Sequence, residues 1–169
     1  MRKKTFAAII ALVALTVFGT AGVYAAGDGG ADDGNGGADL PKSVKQEFSN
    51  GKSAVYSGRY NKAIQHLKEV VAREPRNAAA HNYLGFSYRK TGKLELAAAS
   101  YRLVFSIDPN HKGALEYQGE LYLILGDLSA AQQNLARLEK LCSTTCKELA
   151  ELKRAVADFT ATRVSSLGS

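Results

Sequence analysis

Cys142 and Cys146 are the only cysteines of the 169-residue chain, and they stand four positions apart in the run LCSTTCKE. Two thiols so placed suit three chemistries. In an oxidising compartment they close as a disulfide. At a helix N-terminus, where a thiol loses its proton more readily, Cys146 would be a redox nucleophile and Cys142 its resolving partner. With further ligands the pair would hold a metal. The three-residue spacer is not that of C-x-x-C, and no strand-helix-strand pattern surrounds it. No histidine or carboxylate cluster lies beside it. A structural disulfide is the expectation, worth only ~2 kcal/mol across so short a loop; thiol redox chemistry is the alternative.

Other reactive residue types form no constellation. His66, His81 and His111 are scattered and never pair at helical spacing, which assigns them to the surface or to packing. No serine lies in a G-x-S-x-G elbow, and neither G-x-x-x-x-G-K-[ST] nor G-x-G-x-x-G is present to cradle a phosphate. The aspartates of AGDGGADDGNGGAD, residues 26–39, lack the D-x-D-x-D-G spacing and closing glutamate of a calcium loop. No catalytic residue, cofactor or metal is expected, and the chain reads as a non-enzyme.

Charge and the N-terminal stretch bound the setting. The basic start MRKK, a long uncharged apolar run and the small-residue ending Val23-Tyr24-Ala25 read as an export signal cut after Ala25. An uncleaved anchor is the other reading, since about 20 apolar residues span a bilayer; only then would a membrane be a partner. Without Arg2, Lys3 and Lys4 the 22 basic residues fall to 19 against 16 acidic ones. That excess, with no basic stripe and no recognisable module, argues against nucleic acid. The expected location is outside the cytoplasm, most simply a bacterial periplasm. Residues 26–43 read as a disordered linker, reaching about 20 Å over its Gly/Asp-rich part.

From Val44 the chain repeats itself every 34 residues. Gly51, Gly85 and Gly119 fall in register, as do Gly58, Gly92 and Gly126, then Ala63, Ala97 and Ala131, then Pro75 and Pro109. Leu84, Tyr88, Leu94, Ala97, Ala98, Tyr101, Val104 and Phe105 recur at steps of three and four, the period of an amphipathic helix. The second glycine column is placed to end a first helix. Second helices follow at 61–73, 94–107 and 128–141, and the prolines stop the first two. Asn77 and Asn110 stand where a side-chain oxygen can cap the next helix. Thr145 and Glu148 form a capping box for a final helix. A unit of this length cannot bury its apolar face alone and must stack on copies of itself.

These columns resemble the tetratricopeptide repeat (TPR) family: the first-helix glycine, the aromatic three residues on (Tyr88, Tyr122), the turn glycine, the alanine and the closing proline. The resemblance implies an all-α, right-handed solenoid of three helix hairpins with a C-terminal capping helix. Its parts are repeats at 44–77, 78–111 and 112–145, a cap at 146–163 and a flexible tail at 164–169. Departures are Ala54 at the aromatic position, Glu47, His81 and Leu115 at the large opening position, and a third repeat without proline. Short exported bacterial repeat proteins with an L-C-x-x-x-C segment after the last repeat look similar, which supports the structural reading of the cysteines.

The resemblance also implies a concave groove lined by the first helices. Rows 34 apart are Phe48, Asn82 and Glu116; Lys52, Phe86 and Glu120; Val55, Arg89 and Leu123; and Tyr56, Lys90 and Ile124. The residues expected to contact a partner are Phe48, Lys52, Tyr56, Asn82, Phe86, Arg89, Lys90, Glu116, Glu120 and Leu123. Such rows mix apolar anchors with both charges, which suits an extended peptide or amphipathic helix. Phe48, Tyr83, Gly113 and Tyr117 occupy most places of the set with which some family members hold a C-terminal carboxylate, so that ligand is not expected. The expected function is an exported interaction module or scaffold binding a peptide or protein. The alternatives are the thiol redox protein and a self-associating structural subunit.

Overall fold

The computed structural model describes residues 42–142 and 146–167; the export signal, the Gly/Asp-rich segment and Thr145 lie outside them. Among the described residues there are seven helices and no strand: α1 (Val44–Tyr56), α2 (Tyr60–Arg73), α3 (Ala78–Lys90), α4 (Leu94–Ile107), α5 (Lys112–Ile124), α6 (Leu128–Leu141) and α7 (Lys147–Leu167). The result is an all-α solenoid of helix hairpins.

The period is visible at every first-helix terminus. Ser43 Oγ accepts from the Gln46 N–H at 3.1 Å, Asn77 Oδ1 from the Ala80 N–H at 2.9 Å, and His111 Nδ1 from the Ala114 N–H at 3.1 Å. The cap of α5 is therefore His111 and not the expected Asn110. The register decides it, because His111 is 34 residues after Asn77, whereas Asn110 lies within the preceding turn, its N–H donating to Asp108 Oδ1 two residues earlier at 3.0 Å. At the other end Gly58, Gly92 and Gly126 have φ of 69°, 73° and 80°. In α3 the Gly92 N–H reaches the Arg89 carbonyl at 3.1 Å and the Lys93 N–H reaches Tyr88 at 2.9 Å. That pair of bonds satisfies carbonyls a helix end would otherwise leave unpaired. α7 continues through Leu167 and does not stop at 163, so residues 164–167 belong to it. No glycine or proline interrupts it.

Helices pair as α1/α2, α3/α4 and α5/α6; α1, α3 and α5 also lie side by side, and α7 packs on α5 and α6. Ala63, Ala97 and Ala131 are completely buried. Each first-helix glycine is a notch that receives a large side chain. A Cβ on Gly51 would come 2.8 Å from Leu67 Cγ, and one on Gly85 would come 2.6 Å from Tyr101 Cε1. In the third repeat the visitor comes from α7: a Cβ on Gly119 would lie 2.6 Å from Leu152 Cδ1. Leu152 is wholly buried with Leu115 and Leu138, so α7 closes the core. Cys142, the C-cap of α6, and Cys146, just before α7, are disulfide-bonded with Cα atoms 5.3 Å apart.

Two glycine substitutions separate these roles. A Cβ at Gly92 meets nothing within 4 Å, so G92A should lose ~1 kcal/mol from its left-handed backbone alone. G85A must push Tyr101 out of a packed core and should cost more, up to about 3 kcal/mol. Urea unfolding followed by circular dichroism measures both; a G85A domain as stable as G92A would contradict the notch.

Candidate functional site

The groove face is built by α1, α3 and α5, with α7 as a wall. At its centre is Arg89, only 8% exposed. The Arg89 guanidinium forms an ion pair with the Glu120 carboxylate one helix away. It also stands 5.3 Å from the Phe86 ring centre and 5.8 Å from that of Tyr117. Those two rings are 4.7 Å apart, and Tyr60 meets Phe86 edge-on at 5.9 Å. A buried guanidinium needs compensation for its lost hydration, and the carboxylate and two ring faces supply it. Compensation is incomplete, since Arg89 Nε has no hydrogen-bond partner.

Toward α1 the floor remains aromatic. Tyr83 meets Phe48 at 6.0 Å and Tyr56 at 6.3 Å, with the Tyr56 and Tyr83 hydroxyls 3.2 Å apart. Burial, then the neighbouring Tyr56 hydroxyl, push the Tyr83 hydroxyl pKa above its ordinary value. Tyr117 is pushed up to about 12, chiefly by burial and then by the Glu116 carboxylate.

Two clefts indent this face. The larger, about 470 Å³, lies between Arg89, Lys90, Glu120, Leu123 and Ile124 and the α7 residues Ala155, Asp158, Phe159 and Thr162. The smaller, about 280 Å³, is lined by Tyr56, Asn82, Tyr83, His111, Glu116, Tyr117, Lys147 and Glu148, among others. Asn82 and Glu116 are 6% and 7% exposed, and Asn82 Oδ1 has no hydrogen-bond partner. Burial pushes Glu116 up to about 8; the carboxylates of Glu120, Glu148 and Glu151 add to this, and Lys147 opposes it.

Each expected contact residue is on this face, but with different access. Lys52, Tyr56 and Lys90 are exposed, Lys52 lying 5.9 Å over the Tyr56 ring and Lys90 5.5 Å over Phe86. Glu120, Phe48 and Phe86 are half-buried, while Asn82, Arg89, Glu116 and Leu123 are buried. Sequence reasoning did not count Tyr83 and Tyr117 among the contacts, although they too stand 34 apart, and it missed the α7 wall. Ala155, Asp158, Phe159 and Thr162 recur at helical steps, but nothing in that spacing says which neighbour they face. Two histidines are structural: His66 Nδ1 meets Glu47 Oε2 at 2.6 Å, and His81 Nε2 meets the Pro75 carbonyl at 2.9 Å.

Residues 48–111 match the family model of the tetratricopeptide repeat. That match covers the first two hairpins; the described residues as a whole form three hairpins closed by one long helix. No curated protein matches the sequence. Among solved structures the fold is similar to the Sgt2 TPR domain from Aspergillus fumigatus, with a TM-score of 0.63 at 19% identity over 75% of this chain and 82% of that one. It is similar to the Yersinia enterocolitica type III secretion chaperone SycD in complex with a peptide of the translocator YopD (0.60, 21%, 73% and 94%). The first TPR domain of Spaghetti, bound to the HSP90 peptide SRMEEVD, is also similar (0.61, 18%, 70% and 93%).

Glu116 makes stability depend on pH. The native state keeps this proton up to about pH 8, whereas an unfolded glutamate loses it near its ordinary value of 4.5. Across that window the folded state binds more protons, so wild-type stability falls as pH rises. The stability of E116Q relative to wild type should therefore grow from pH 5 to pH 8, as read from urea midpoints. A difference that stays flat with pH would contradict the buried proton.

Proposed function

We propose that this protein is an exported interaction module whose concave groove holds a peptide or a segment of a partner protein. The observation that carries the reading is a face furnished for a ligand: an aromatic floor, two clefts, and buried polar atoms at Asn82 Oδ1 and Arg89 Nε that lack partners. Buried polar groups without hydrogen bonds cost free energy that a bound peptide backbone or side chain recovers. Structures of the same fold have been solved with a translocator peptide and with an HSP90 peptide, which supports a peptide-sized occupant. The N-terminal signal pattern supports export, most simply to a bacterial periplasm. In this reading the protein acts as a scaffold and performs no catalysis.

Exposed groove positions test it without disturbing the core. Tyr56 and Ile124 are 72% and 54% exposed, and Lys90 is exposed beside them. The triple variant Y56A/K90E/I124S should keep the wild-type melting curve yet lose the partners that wild type crosslinks in envelope extracts. Identical crosslinked partners for both proteins would remove the groove from the function.

A further inference from the structure

The smaller cleft has a chemical preference of its own. Its buried polar groups include two acceptors, the unpartnered Asn82 Oδ1 and the Glu116 carboxyl, which makes no hydrogen bond among the described residues. Three tyrosines, Tyr56, Tyr83 and Tyr117, line the same space and bring electron-rich ring faces to it. Glu148 closes it from the N-terminal end of α7. Lys147 also lines the cleft and favours the Glu116 carboxylate electrostatically, but it is exposed and forms no ion pair among the described residues. The Arg89 guanidinium is committed to Glu120 and two rings. What remains is a set of acceptors and ring faces whose one cation among the described residues, Lys147, sits exposed at the mouth.

We propose that this cleft is the subsite for a basic side chain of the bound partner, a lysine or arginine held between Glu116, Asn82 and the three tyrosine rings. The inference rests on the groove reading above and specifies its ligand. An ammonium or guanidinium donates to Asn82 Oδ1 and Glu116 and stacks on ring faces, as cations do in aromatic cages. An acidic side chain would face Glu116 and Glu148, and an apolar one would leave Asn82 Oδ1 unpaired.

Proton linkage gives the subsite a signature. The groups that face Glu116 are Glu120 and Tyr117 on α5, His111 at its cap, Asn82 and Tyr83 on α3, Tyr56 on α1, and Lys147, Glu148 and Glu151 on α7. In the free protein Glu116 holds its proton up to about pH 8. An arriving cation stabilises the carboxylate, so binding expels that proton and tightens as pH rises toward 8.

The test uses N-acetyl-lysine methylamide, with N-acetyl-arginine methylamide as a second cation and the norleucine and glutamate derivatives as controls. Each is titrated into ¹⁵N-labelled protein and followed by the amide signals of Tyr83 and Glu116 and the side-chain amide of Asn82. The cationic compounds should give saturable shifts there and the controls none. E116Q should weaken lysine binding about tenfold, the weight of one charge-assisted hydrogen bond. Wild-type affinity should rise from pH 6 to pH 8, E116Q should lose that rise, and H111N, which keeps a capping side chain, should retain it. Equal binding of the norleucine derivative, no saturable shift with either cation, or unchanged affinity in a folded E116Q would overturn the proposal. Should the basic compounds fail while the triple variant still loses its crosslinked partners, the groove stands and this subsite falls.

Discussion

The close approach of paired helices is the constraint on which this structure depends. Gly51, Gly85 and Gly119 offer no side chain, and Leu67, Tyr101 and Leu152 occupy the space. Two of these contacts lie within a hairpin and hold its helices together. The third joins α5 to α7 and makes the last helix part of the core instead of an appendage. An array of three repeats has two ends with apolar surface to hide. α7 hides one of them, and the disulfide between Cys142 and Cys146 limits where it can go.

The groove follows from the same packing. When the hairpins stack, α1, α3 and α5 lie alongside one another, and residues one period apart become neighbours. Arg89 reaches Glu120, and Phe86 meets Tyr117, because each pair lies on adjacent first helices. Removing one partner of a buried ion pair leaves the other charge uncompensated, so Arg89 and Glu120 bind the two repeats as a unit. The site is thus a by-product of the stack, with its polar atoms held by the elements that hold the fold.

Much of this was legible in the sequence, for a definite reason. Steric demands that recur at every repeat, such as a glycine where helices touch or a glycine at positive φ, leave columns that can be read without coordinates. The helix order and the turns came from those columns, while the ten expected contact positions came from the resemblance combined with the 34-residue register. What depended on unique contacts was not legible. Asn110 looked like a cap by type, but the period placed His111 there. The α7 wall has no counterpart one period earlier, so no column pointed to Asp158 or Phe159. The burial of Glu116 and the lack of a partner for Asn82 Oδ1 are properties of the assembled face, set by α7 and the tyrosines.

The central claim is that the concave face, and no other, receives a partner. Site-specific photocrosslinking in cells tests it most directly, with a benzophenone amino acid placed at Lys90 in the groove or at Leu103, 48% exposed on the second helix of the same repeat. The account predicts defined adducts from position 90 and none from position 103. Adducts from position 103 with none from position 90 would contradict it.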